Sequence, residues 1–344
     1  MPELKMPELK MPELKMPELK KKALRGELIV FTINETAFGW EEIAAAAQSW
    51  GEWQPFVNET RQALACLQYA AATNEPLPPR AVKEAVTAFR YAHNLISAED
   101  AQAWLQHWSI TQEEWMNALR AQLLREHWAG RLDAIVTAHP VSDAALAAAL
   151  QPFAICADQL RAWAHKLAGR AALAASSAPH EAGGGSPHNL IARIEAGFDD
   201  AQQQAVTPQR LATNIANHRL DWIRFSCRYV WFAEERLARE AAFCVTEDGL
   251  SLDEVAYDAA AIVQQWDFYL DEIEAAARPH FLAARPGAWL GPVKMLAGFP
   301  LFAVEHKQMP NSDDPRIRQR AAQTILTGLL EQATNDREIG RAHV

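Results

Sequence analysis

The stretch Ala175-Ser-Ser-Ala-Pro-His-Glu-Ala-Gly-Gly-Gly-Ser-Pro-His188 constrains this chain more than any other. It offers no large apolar side chain to bury, and its glycines and prolines favour turns and open backbone over helix or strand. A chain interrupted in this way has to build a core on each side. Its 344 residues, 49% of them hydrophobic, carry enough apolar surface for two. The expected organisation is a helical domain at 23–174, a Gly/Ser/Pro linker at 175–189 and a second domain at 190–337.

Both ends fall outside that plan. Residues 1–20 repeat Met-Pro-Glu-Leu-Lys, and the recurring proline removes amide donors and blocks a continuing helix. That period matches neither a helix nor a strand, so 1–22 is expected to be a disordered tail. At the other end Glu338-Ile-Gly-Arg-Ala-His-Val344 back-translates as GAG ATC GGA AGA GCA CAC GTC, which looks like a common sequencing adapter. Residues 338–344 are therefore expected to be foreign to the natural protein, which is followed only to Arg337.

The first half reads as helices. A helical pattern runs from Trp40 to about Ala72, broken near Gly51 and Pro55, and Arg80 to Tyr91 places Val82, Val86 and Phe89 on one face. Ser97-Ala-Glu-Asp100 and Thr111-Gln-Glu-Glu114 have capping-box spacing, and Ile110 and Trp115 occupy the staple positions around the second. The helix opened there should carry Trp115, Leu119, Leu123 and Trp128 on one stripe. Residues 141–172 are Ala-rich and helical, with Pro152 as an interruption, and Glu27 to Ile33 is a short strand ending at Asn34.

Past the linker the order changes to α+β. Leu190–Ala205 and Pro208–His218 read as helices, Asp221–Phe232 as a half-buried strand, Ala233–Val245 as a helix and Ser251-Leu-Asp-Glu254 as another capping box. Gln265–Leu270 can be a strand. Pro286-Gly287, Gly291-Pro292-Val293 and Gly298-Phe299 are the punctuation of a hairpin whose second strand is Phe299–His306.

Charge and motif spacing exclude several classes. Lys plus Arg number 33 against 43 Asp plus Glu, a net charge of −10, so no broad cationic face is available for nucleic acid. Cys66, Cys156, Cys227 and Cys244 lie far apart, and His93, His107 and His127 lack a second ligand at helical spacing, so no metal is expected. Gly183-Gly-Gly-Ser186 lacks the lysine and the strand-to-helix setting of a phosphate loop. No apolar run is long enough to span a membrane, and a cytoplasmic location is expected.

Two segments resemble a known family. Phe89-Arg-Tyr-Ala-His-Asn-Leu-Ile-Ser-Ala-Glu-Asp-Ala-Gln-Ala-Trp-Leu105, continuing through Thr111-Gln-Glu-Glu-Trp115 to Leu124-Arg-Glu126, is similar to the helical chaperone region that precedes the isomerase domain in SurA-type and PpiC-type folding factors. Arg278-Pro-His-Phe-Leu-Ala-Ala-Arg-Pro-Gly287, with Leu290-Gly-Pro-Val293, Gly298-Phe299 and Val304, is similar to the C-terminal hairpin of parvulin-type peptidyl-prolyl isomerases. The resemblance implies an α+β chain: a mostly helical SurA-like module, then a small parvulin-like α+β domain. It departs from the family at both active-site histidines. Pro300 stands where the strand after the hairpin glycine carries one, and Arg228 is the best match for the other in Ser226-Cys-Arg-Tyr-Val230.

Rotation about an Xaa–Pro amide crosses a resonance barrier of about 18–20 kcal/mol. A catalyst for it needs a dry pocket around the proline ring rather than a nucleophile; the resemblance implies that the family's histidines tune that pocket, so their loss need not abolish peptide binding. Trp289, in Gly287-Ala-Trp-Leu-Gly-Pro-Val293, stands where the family has an apolar pocket residue, and Met295, Phe299 and Phe302 are near enough in sequence to join it. Core packing is the competing reading of all four. A lesser expectation is that Trp104, Trp108 and Trp115 line an apolar groove for extended peptides.

The expected function is that of a parvulin-like folding or maturation factor binding unfolded or extended peptide segments of client proteins. Trp289, Met295, Phe299 and Phe302 are its expected peptide site; no catalytic residue, metal or cofactor is expected, and little or no isomerase activity. The alternative is a non-catalytic adaptor that binds one fixed protein partner.

Overall fold

Hydroxyls set many of the helix starts. Ser97, Thr111, Ser142, Thr207 and Ser251 each accept a hydrogen bond from the backbone N–H three residues on, and each opens a helix in the computed structural model. That structure describes residues 28–33, 36–75, 77–177 and 186–335. The tail at 1–22, the middle of the expected linker at 178–185 and the segment 338–344 lie outside the described residues. Two compact units emerge: one runs to Ala201 and resumes at Leu330, and the other spans Gln202–Leu329.

The first unit is mostly helical. Strands β1 (Ile29–Ile33) and β2 (Thr36–Gly39) pair antiparallel and stack Phe31 on Phe38, with ring centroids 4.6 Å apart. Then follow α1 (Trp40–Ser49), α2 (Trp53–Thr73), α3 (Pro79–Ala92), α4 (Ala98–His107), α5 (Gln112–His127), α6 (Leu132–Ala138), α7 (Asp143–Cys156), α8 (Gln159–Ser177) and α9 (Pro187–Ala205), the last of which runs across the division. Pro55 sits in the first turn of α2, where its missing N–H would have had no helical partner anyway. Pro152 does not interrupt its helix, and α7 continues through it to Cys156.

Buried Ile110 and Trp115 flank the Thr111 cap, as their spacing predicts. The buried stripe of α5 then passes through Leu119 and Leu124 to Trp128, leaving Leu123 half-buried, because the 3.6 period carries the inner face one residue past the expected position. Glu52 ties the core together: its carboxylate accepts from Trp163 Nε1 at 2.8 Å and pairs with Lys166. Glu195 on α9 accepts from Trp50 Nε1 at 2.9 Å and pairs with Arg170.

The second unit is α+β. After α10 (Pro208–Asn217) come β3 (Arg224–Val230), α11 (Glu235–Thr246), α12 (Leu252–Asp258), β4 (Val263–Tyr269), a 3-10 turn at Leu270–Glu272, α13 (Arg278–Ala283), β5 (Trp289–Leu290), β6 (Leu301–Gln308) and α14 (Pro315–Asn335), which ends in the first unit. The sheet order is β4-β3-β6-β5 with every pair antiparallel, so β4 and β5 are its edges. The expected strand, helices, strand, hairpin order is present, with α13 added between β4 and the β5–β6 hairpin and α14 after it.

Period-two alternation gives the sheet two apolar faces. Phe225, Cys227, Phe268, Phe302 and Val304 share one cluster with Phe281 of α13. Val230, Leu301 and Ala303 face the other way and pack against α11 and α12. A smaller cluster joins Ile215 and Trp222 to Ile317 and Ala321 of α14. There Arg320 lies 4.4 Å over the Tyr269 ring and donates to both carboxylate oxygens of Asp271 and to Glu272, each at 2.7 Å. No helix among the described residues is long and apolar enough to cross a membrane.

Candidate peptide-binding groove

The sheet separates the four expected pocket residues into two pairs. Trp289 is opposite Ala303 and Leu290 opposite Phe302, so alternation sends Trp289 to the α11–α12 face and Phe302 to the α13 face. Phe299 joins Trp289, both half-buried, and its N–H donates to the Phe232 carbonyl at 2.8 Å. Met295 joins Phe302; it is half-buried and bridged to Gly298 by a backbone hydrogen bond of 2.9 Å.

The α13 face is filled. Phe302 is fully buried, with ring centroids 5.1 Å from Phe281 and 5.6 Å from Tyr229, and Phe281 meets Phe225 and Phe268 edge-on at 5.4 and 5.2 Å. Burial pushes the Cys227 thiol up to about 12, helped by Glu305 and Asp267, so it remains protonated at neutral pH.

The α11–α12 face opens. A groove of about 870 Å³ runs between the two helices and the strand ends where β3 leaves and β4 enters the sheet. Leu237, Ala241 and Cys244 line it from α11, Leu250 and Val255 from the α12 side, and Ile262 and Gln264 from the start of β4. Leu237 is 43% and Ile262 76% exposed, so apolar surface continues onto the rim. Glu240 and Asp258 stand among the lining residues, with no Lys, Arg or His beside them. Phe299 adjoins this site through its bond to Phe232, another lining residue.

The hairpin loop closes against the same strand end. Gly298 has φ +151°, and a Cβ there would stand 2.5 Å from the Phe232 carbonyl oxygen and 2.6 Å from Trp231 Nε1. Only glycine allows that approach. Trp231 Nε1 in turn donates to the Ala297 carbonyl at 3.1 Å.

Neither position matched to a family histidine offers a free polar group to a peptide on the filled face. Arg228 Nη2 donates to Asp253 Oδ1 of α12 at 2.6 Å, an attraction that holds the Asp253 carboxyl below its ordinary value. Pro300 is buried, has no N–H, and its carbonyl accepts from Val293 at 3.1 Å.

Trp104, Trp108 and Trp115 do not line one groove together. Trp115 is buried, while Trp104 and Trp108 border a cavity of about 280 Å³ with His93, Asp158 and Arg161. His93 Nε2 lies 3.6 Å from Asp158, and burial lowers the His93 pKa against that attraction. Among the described residues no three His, Cys, Asp or Glu side chains are placed to hold a metal ion.

Sequence reading missed the groove residues Leu237 and Ile262. The signal was present: Leu237, Ala241 and Cys244 repeat at helical spacing and widen the apolar face that buried Ala238 and Val245 set on α11.

The sequence matches no protein-family profile and no curated protein. Solved structures do align with it. The peptidylprolyl isomerase PrsA from Bacillus anthracis is 13% identical over 62% of this chain and 96% of its own, with a TM-score of 0.25. PrsA from Bacillus subtilis is 11% identical over 63% of this chain and 86% of its own, with a TM-score of 0.21. A structure from work on PEB4 and Cj1289, two structurally related SurA-like chaperones of Campylobacter jejuni, is 7% identical over 90% of this chain and 94% of its own, also with a TM-score of 0.21.

Proposed function

We propose that the second unit binds apolar segments of unfolded or extended polypeptide, and that the chain is a folding or maturation factor of the parvulin-like class with little or no isomerase activity. The observation that carries this reading is the α11–α12 groove, with its apolar lining and exposed Leu237 and Ile262. An apolar concavity of that size with a few polar groups at its rim suits a run of side chains from another polypeptide. The α13 face does not favour catalysis: its rings pack on one another, and Cys227 stays an uncharged thiol. Phe299 and Trp289 belong to this reading as the apolar support beneath the groove. Phe302 belongs to the opposite core, and Met295 packs against it.

Two assays on the full chain test the proposal together. A coupled isomerase assay on a short Xaa-Pro peptide should stay near background, while titrations with several unrelated, permanently unfolded clients should each saturate. Strong isomerisation would contradict the closed face. Binding to a single partner and to none of the unfolded clients would establish an adaptor instead.

A further inference from the structure

We infer that the groove selects apolar segments that also carry lysine or arginine. This rests on the peptide-binding reading and adds the chemical class of the peptide. Glu240 on α11 and Asp258 at the end of α12 place a carboxylate on each wall, and no cationic side chain lines the groove. Among the described residues neither carboxylate takes part in an ion pair or side-chain hydrogen bond. None of the neighbouring cations is ion-paired with them: Arg228 is held by Asp253 and Arg239 by Glu235, and Arg236, one turn before Glu240, makes no ion pair with it. Two unpaired negative charges flanking apolar walls favour a cation on the incoming chain and repel an acidic one. The net charge of −10 acts in the same direction during encounter.

Cys244 provides a direct readout of occupancy. It lines the groove and is half-exposed, whereas Cys66, Cys156 and Cys227 are buried. The probes are three short fluorescent peptides with the same leucine and phenylalanine positions and lysine, serine or glutamate between them. Affinity is read by anisotropy, and the alkylation rate of Cys244 by mass spectrometry. The lysine peptide should bind about tenfold more tightly than the glutamate peptide at moderate salt, as expected for two rim charges. All bound peptides should slow Cys244 alkylation. In the Glu240→Gln/Asp258→Asn variant the ratio of lysine- to glutamate-peptide affinity should fall from about tenfold to about one, with an unchanged melting temperature showing that the variant is folded. Equal affinities with Cys244 protected would overturn the charge selection and leave peptide binding standing. Binding that leaves Cys244 unprotected would place the site elsewhere and overturn the inference, and no binding by any peptide would overturn the peptide-binding reading itself.

Discussion

Replacing Phe302 by alanine distinguishes a filled sheet face from a binding face. The ring has no solvent exposure and is enclosed by Tyr229, Trp266 and Phe281, with centroid distances of 5.6, 6.4 and 5.1 Å. Removing it from such an enclosure forfeits its transfer free energy and leaves a void that neighbouring strands cannot easily close. The expected cost is about 3–5 kcal/mol. Because the two units need not unfold together, the assay should be local. Amide hydrogen exchange read by mass spectrometry on peptides from β3, β4 and β6 reports the opening free energy of this sheet alone. Protection there should fall between roughly a hundredfold and several thousandfold, since each ~1.4 kcal/mol is a factor of ten. Exchange in α2 and α5 of the first unit should hardly change. A loss of less than ~1 kcal/mol would mean that the ring is not enclosed and that the α13 face can open to a ligand.

Two further outcomes follow from burial and chain connection. Burial pushes Cys156 and Cys227 up to about 12 from an ordinary value of 9.0, so the folded protein keeps thiol protons that the unfolded chain loses. Their contribution to stability is complete below pH 9.0 and is lost as pH rises toward about 12, which urea titrations between those limits should record, with a shallower slope in Cys227→Ala. Limited proteolysis is expected to cut first between Ala175 and His188. The two fragments should nevertheless co-elute on sizing, because Ile191 and Ile194 of α9 lie in the first unit's core and Glu195 is held by Trp50 and Arg170. Separation of the fragments without denaturant would contradict those contacts.

Local chemistry was legible in the sequence. Ser97, Thr111 and Ser251 announced their helices through hydroxyl and acid spacing, and Gly298 marked the hairpin, although its close approach to Phe232 and Trp231 shows only in the fold. Helix α14 was also readable but passed over: Asp314 accepts from the Arg316 N–H at 2.8 Å and Pro315 follows it, the pattern of a cap with proline at the first helical position. Strand β2 is too short for a periodic signal and depends on pairing with β1. The site was harder, because Trp289, Met295, Phe299 and Phe302 are close along the chain yet divided by a sheet. Sequence proximity cannot say which face a residue takes until the register with Ala303 is fixed. Leu237 and Ile262, distant in sequence, meet only because α11 and α12 return β3 to its neighbour β4.

The proposed client site is this groove. It is tested most directly by titrating one permanently unfolded client with the full chain and with a Leu237→Ser/Ile262→Ser variant. Both side chains are exposed, so their replacement should leave the melting temperature nearly unchanged. If they are contact hot spots, each loss should weaken binding by about 1–2 kcal/mol, or roughly thirtyfold to several hundredfold for the pair. Unchanged client affinity in a folded double variant would contradict the account.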